Sequence, residues 1–127
     1  MNFNFLTLDE ILKIHQDQIQ RYGGIEGVRD WGLFKSVLAM PMAGYGGTLV
    51  HTDIFEMAAA YLFHIVRNHP FLDENKRTGA VAAYVFLAIN SITLNAPPRS
   101  FERIVRMASE GKTDKASMAN FFRKNVE

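Results

Sequence analysis

The chain has 127 residues and carries 14 Lys and Arg against 13 Asp and Glu, and its net charge of +1 gives no general attraction to nucleic acid. It contains no cysteine, which excludes disulfides, thiolate metal sites and a cysteine nucleophile together. The length suits a single domain, residues 1–127, large enough to bury an apolar core without covalent staples.

The N-terminus, Met1-Asn2-Phe3-Asn4-Phe5, lacks a basic n-region and soon meets Asp9 and Glu10, unlike a secretory signal. Thr7-Leu8-Asp9-Glu10 reads as a capping box opening a first helix with apolar positions Leu8, Ile11, Leu12 and Ile19, and Gly23-Gly24 is its natural stop. Asp30 can cap a second helix carrying Leu33, Phe34, Val37 and Leu38, which Pro41 ends. Residues 41–51, with glycines at 44, 46 and 47, have no helical pattern. They predict a short flap or β-hairpin over 42–51, serving as a lid, a docking edge or a plain connector.

A third helix runs from Thr52 or Asp53 to Asn68, apolar on most sides through Ala58, Ala59, Ala60, Leu62 and Phe63, which suggests burial at the domain centre. A fourth runs from Asn75 to about Ile89. The longest apolar stretch, Gly79 to Ile89, is too short to span a bilayer. Two shorter helices follow, Ser100 to Ser109 and Asp114 to Asn125, with Gly111 between them. The basic residues from Arg99 to Lys124 read as a solvated face, and nucleic acid is not expected as a partner. The fold class is therefore all-α, a compact domain of about six helices, with a cytoplasmic location and no membrane partner.

Between the two central helices lies His69-Pro70-Phe71-Leu72-Asp73-Glu74-Asn75-Lys76-Arg77-Thr78-Gly79. Pro70 disfavours helix at His69, so the segment opens as a turn, and helical periodicity resumes only after Asn75. Taken singly, these residues have ordinary readings as a packed turn histidine and a solvated cation pair. A polar loop of this density between two apolar helices is not required by core packing. The N–H groups around Asn75, Lys76 and Arg77 would sit at a helix N-terminus, where orphan donors and the helix dipole favour an anion such as phosphate.

Phosphoryl transfer needs the acceptor hydroxyl relieved of its proton and the nucleotide phosphates held and neutralised. His69 is the motif residue suited to be the general base, since an imidazole is able to accept a proton at cytosolic pH. Asp73 is the best Mg²⁺ ligand, because Mg²⁺ prefers one or two carboxylates plus nucleotide phosphates. Arg77 suits phosphate oxygens by bidentate hydrogen bonds and Lys76 as a point charge. Asn75 can orient the loop or contact a phosphate, and Phe71 anchors the turn in the core.

The segment HPFLDENKRTG resembles the signature of the Fic/Doc superfamily, specifically its short Doc or "death-on-curing" branch. Arg21-Tyr22-Gly23-Gly24, Gly27, Arg29-Asp30 and the run Trp31 to Pro41 resemble that branch in order and spacing, and the chain length agrees, so the likeness covers nearly the whole chain, with residues 99–127 its least distinctive part. It implies a Fic-type helical domain, catalysis through His69, Asp73, Lys76 and Arg77, ATP and Mg²⁺ as cofactors, and nucleotide contacts from Asn75, Lys76, Arg77 and Thr78. AMP-transferring members carry HxFx[DE]GNGRxxR; here Glu74 and Lys76 replace the two glycines and Ala80 stands where the second arginine falls. Glycines let backbone approach a diphosphate closely, and that arginine would neutralise a further phosphate. A lysine at the second glycine belongs to the Doc branch, which binds the nucleotide in the opposite sense and transfers its γ-phosphate. Glu74 places an acid near the anion site, and its direction is not legible in the sequence.

The resemblance thus implies a toxin of the toxin–antitoxin type: a protein kinase acting on a hydroxyl of a translation factor such as elongation factor Tu, arresting growth and restrained by a separately encoded antitoxin. AMP transfer, or a nucleotide- or protein-binding module that no longer turns over, are the alternatives. Self-inhibited Fic enzymes carry [ST]xxxE[GN]; the nearest approach, Thr52 to Met57, lacks the final residue. His15 and His51 read as packing or hydrogen-bonding residues, with contact to substrate open to His51. The spacing of His64 and His69 does not suit a helical zinc site, and Gly44 to Gly47 lacks the lysine of a P-loop.

Overall fold

The computed structural model describes residues 3–43 and 53–127. These form six helices: α1 (Leu8–Tyr22), α2 (Trp31–Ala39), α3 (Ile54–Asn68), α4 (Asn75–Ile89), α5 (Pro98–Ser109) and α6 (Lys115–Lys124). Among the described residues there is no extended strand pairing beyond two isolated antiparallel bridges, Val28 with Phe71 and Leu94 with Val126. The flap or hairpin expected over 42–51 falls outside the described residues except for Met42 and Ala43, which lie in a turn after α2. His51, Thr52 and the Gly44 to Gly47 stretch fall outside them as well.

The helix starts are set locally. The Thr7 hydroxyl accepts from the Glu10 amide at 3.2 Å while the Glu10 carboxylate accepts from the Thr7 amide at 2.8 Å, a complete capping box. Asp30, Asp53 and Asp114 accept from the amides of Leu33, Glu56 and Ser117 and cap α2, α3 and α6. Helix α5 begins at Pro98, two residues ahead of the expected Ser100, because proline's fixed φ and missing N–H suit a first helical position.

Helix α3 is the centre, packed by α2, α4, α5 and α6. Residues Met57 to Leu62 are all buried, so it is covered all round rather than along one stripe. The Tyr61 phenol, buried within it, accepts from the Leu6 amide at 2.9 Å and ties the N-terminal segment to the core; burial pushes its pKa well above the ordinary phenol value. On α4 the buried positions Asn75, Thr78, Gly79, Ala82, Ala83, Phe86 and Leu87 follow helical spacing and face the core. Near the start of that stripe Gly79 lets α4 approach α3 closely: a Cβ there would lie 3.1 Å from Val66 Cγ1 and 3.2 Å from Leu62 Cδ1.

Gly79→Val is expected to force α3 and α4 apart and destabilise the fold by about 1–3 kcal/mol, as overpacking a filled core does. A thermal melt checks this, and an unchanged midpoint would mean that the contact between the two helices tolerates bulk.

Candidate active site

The polar motif makes the turn between α3 and α4. His69 follows α3 with φ 50° and ψ 59°, and Glu74 precedes α4 with φ 60° and ψ 33°. Both are left-handed, which costs an L-residue roughly 1–2 kcal/mol, so surrounding contacts must hold them.

Phe71 supplies the anchor. Its ring is 1 % exposed, stacked on His15 with centroids 4.0 Å apart and tilted against Phe34 at 5.1 Å. The Asn75 side chain closes on the same residue, its Nδ2 donating to the Phe71 carbonyl at 3.0 Å and its Oδ1 accepting from the Phe71 amide at 3.1 Å. The side chain of Asn75 is therefore occupied in holding the loop. His15, buried on α1, sits with Nε2 2.9 Å from the Asp73 carbonyl oxygen, while the Leu72 amide donates to the Gly27 carbonyl at 3.0 Å.

The Asp73 carboxylate is held by backbone. Its Oδ1 accepts from the Glu74 amide at 2.9 Å and its Oδ2 from the Ile25 amide at 3.1 Å. Gly24, at φ +124°, is needed for this approach, since a Cβ there would stand 2.7 Å from Asp73 Oδ2. The glycine pair after α1 and the motif are thus one device.

Glu74 turns toward Arg77. Its Oε2 accepts from the Arg77 guanidinium at 3.0 Å, and the Arg77 guanidinium carbon lies 4.1 Å from the centre of the Tyr22 ring. The acid is compensated, and the arginine is fixed by an ion pair and an aromatic face. Lys76, one position away, is exposed and makes no ion pair among the described residues.

Helix α4 has no side-chain cap. Its first backbone hydrogen bond runs from Thr78 to Glu74 at 3.1 Å, leaving the amides of Asn75, Lys76 and Arg77 as the orphan donors of the helix start. A cavity of about 920 Å³ opens there, lined by His69, Asp73, Lys76 and Arg77 on one side and by Phe101 and Arg106 of α5 on the other. Exposed His69 therefore faces the same space as a helix N-terminus suited to an anion.

Of the expected site residues, His69, Asp73, Asn75, Lys76 and Arg77 come together on this cavity. Thr78 does not: it is fully buried in the stripe that α4 turns toward the core, its amide is taken by Glu74, and its hydroxyl has no partner among the described residues. Two contributions escaped sequence reasoning. Helix α5, legible only as a solvated basic face, forms the far wall of the cavity, and Arg29 donates to the carbonyls of Asn68 and His69. No local signal pairs Arg29 with residues some 40 positions away; only its place beside Asp30 was visible.

The sequence model of the Fic/DOC family matches residues 5–87, which span α1 to α4 and the whole motif. The chain belongs to the Fic/DOC family. It is 32% identical over 119 residues to the protein named protein kinase doc of Escherichia phage P1, covering 94% of this chain and 93% of that one. It is 41% identical over 75 residues to the protein named toxin Doc of Mycolicibacterium smegmatis, a match that spans 59% of this chain and 58% of that relative. Its likeness is thus to the Doc branch of the family. The departures from the AMP-transferring motif at Glu74, Lys76 and Ala80 stand in a site whose loop is held from α1 by His15 and from α4 by Asn75.

In this Doc-branch site, Asn75→Ala is expected to leave the buried Phe71 amide and carbonyl without partners, at about 1–3 kcal/mol. Urea unfolding should show a lower midpoint with an unchanged slope. An unchanged midpoint would show that Asn75 does not hold the loop.

Proposed function

We propose that this protein is a Doc-type toxin acting as a protein kinase, passing the γ-phosphate of Mg-ATP to a hydroxyl of a cytosolic protein. The observation that carries this reading is the exposed His69 beside the uncapped start of α4, with Lys76 where AMP-transferring enzymes have a glycine. The names of the two relatives support the toxin and kinase assignments for this chain.

In this reading His69 accepts the proton of the acceptor hydroxyl. The hydroxyl oxygen bonds to the γ-phosphorus as the bond from that phosphorus to the β–γ bridging oxygen breaks, and ADP leaves with the electron pair. The amides of Asn75, Lys76 and Arg77 and the Lys76 ammonium hold phosphate oxygens. Arg77, already fixed by Glu74 and Tyr22, adds positive potential without reorganising. A side chain at Lys76 removes the close backbone approach that a diphosphate lying along the helix start would need, which favours the γ-phosphate as the group nearest His69.

Asp73 fits a magnesium ion. Each carboxylate oxygen accepts one backbone hydrogen bond and keeps a lone pair free toward the cavity that the residue lines. That donor set suits Mg²⁺, which takes few carboxylates and completes its shell with phosphates and water. When bound, Mg²⁺ neutralises charge on the phosphates.

The resemblance to the Doc branch supports a translation factor such as elongation factor Tu as the target, with growth arrest as the outcome. It also supports control in trans by an antitoxin covering the site near Lys76 and Arg77. Of the nearest approach to an internal inhibitory motif, Glu56 lies in the first turn of α3 with its amide on the Asp53 cap, an ordinary helix start. No helix of the described residues is long and apolar enough to cross a membrane.

His69→Gln is expected to fold and to lose transfer activity by about 10²- to 10⁴-fold. ATP labelled at the γ-phosphate or in the adenine, incubated with bacterial lysate, identifies the moiety transferred: γ-label should appear on a protein in a His69-dependent manner, and adenine label there would replace the kinase with an AMP transferase. Titration with ATP should show affinity that falls on removing Mg²⁺, whereas a binding module without turnover need show no such dependence. Expression of the chain alone should arrest a susceptible host, and harmless expression of a protein active in vitro would count against control by an antitoxin.

A further inference from the structure

We infer that Arg29 is a positioning residue for His69, an inference that rests on His69 being the general base. Arg29 lies on the segment joining α1 to α2, far in sequence from the motif. Its Nε donates to the His69 carbonyl at 2.7 Å, its Nη2 to the Asn68 carbonyl at 2.7 Å, and its own amide to the Pro70 carbonyl at 2.7 Å. One residue thus satisfies three consecutive carbonyls.

The place matters because α3 ends there. The last carbonyls of a helix have no intrahelical partners and carry the negative end of its dipole, and a planar guanidinium meets two of them in a fixed geometry. His69 is left-handed without being glycine, and Pro70 after it narrows its backbone further. The backbone angles of His69 set the direction of its Cα–Cβ bond and hence where the imidazole stands at the cavity mouth. Of the neighbouring attachments, the Val28–Phe71 bridge and the Leu72 amide to Gly27 act beyond Pro70, the Asp30 amide shares the Pro70 carbonyl at 3.2 Å, and the His69 amide, bonded to the Ile65 carbonyl at 3.2 Å, fixes the residue from its N-terminal side only. Among the described residues, the hydrogen bond to the His69 carbonyl comes from Arg29. Arg29 does not line the cavity, so it acts through His69 rather than on a bound nucleotide.

The test uses the full chain, uniformly labelled with nitrogen-15, as Arg29→Gln and Arg29→Lys. The His69 HN–Hα coupling and amide signal report its backbone without reference to activity. In Arg29→Gln they should shift or broaden while the fold persists, and kcat should fall by roughly 10²-fold with the KM for ATP little changed, as a misplaced catalytic group gives. Arg29→Lys, which restores a donor for one carbonyl, should lie between; if the glutamine variant does not fold, the lysine variant carries the same measurements. A folded variant with native His69 signals overturns the inference, as does an unchanged kcat where the native protein is active. If the native protein transfers no phosphate, the kinase reading fails by that result, and the His69 signals alone decide: altered in the variants they support Arg29 as the holder of this backbone, unaltered they overturn it.

Discussion

The site depends on the burial of one ring. Phe71 lies between His15 and Phe34, and the turn that carries the motif's polar residues is pinned to the core through it. Its amide and carbonyl are both taken by Asn75, its strand-like bridge is to Val28, and the left-handed residues His69 and Glu74 stand on either side. Burying an aromatic side chain is worth roughly 1.5–3 kcal/mol, and the two hydrogen bonds add about 1 kcal/mol each. That is of the same size as the cost of two left-handed residues, so the anchor offsets the strain the turn requires.

A second constraint comes from the segment after α1. Gly24 lets the Asp73 carboxylate reach the Ile25 amide, Gly27 accepts from Leu72, and Arg29 closes over the end of α3. The sequence elements RYGG and HPFLDENKR therefore meet along one seam, with Tyr22 also lying under Arg77. The ion pair of Arg77 with Glu74 is half exposed on the arginine side, and such pairs contribute about 0–1 kcal/mol to stability. Its consequence is geometric: the acid introduced at the glycine position is turned onto a cation.

Electrostatically the arrangement separates two kinds of donor. Four helices spend the side chain before their first turn on their own amides; α4 does not, and the residue that would cap it is held left-handed instead. The cost of leaving those amides open falls where the cavity opens, with Lys76 beside them. The far wall is α5, whose buried Val105 and Ala108 fix it to the core while Phe101 and Arg106 line the cavity.

The helices were legible because their determinants are local. Thr7 with Glu10, Asp30, Asp53 and Asp114 cap within three residues of themselves, and the apolar spacing of α3 and α4 declares their burial. The start of α5 at Pro98 was misplaced by two residues because apolar periodicity says nothing about a proline that a first turn accepts. The motif itself was legible as a candidate site, since its residue types and the helix start beside them are adjacent in the chain. What side chains do across the chain was not legible. The sequence left Asn75 open between loop and ligand, left the direction of Glu74 open, and was silent on what Arg29 and α5 contact; it also could not show that Thr78 faces inward. Asn75 and Glu74 find partners within four residues, but in a loop conformation that no helical or strand periodicity describes, while Arg29, α5 and Thr78 depend on the packing of α1, α3, α4 and α5, whose crossing no local propensity encodes. By itself the sequence determined which segments are helical and which residue types the motif offers; the tertiary structure decided what the Asp73 carboxylate, Arg77 and Arg29 rest against, because the Ile25 amide, the Tyr22 ring and the end of α3 that they meet lie tens of residues distant.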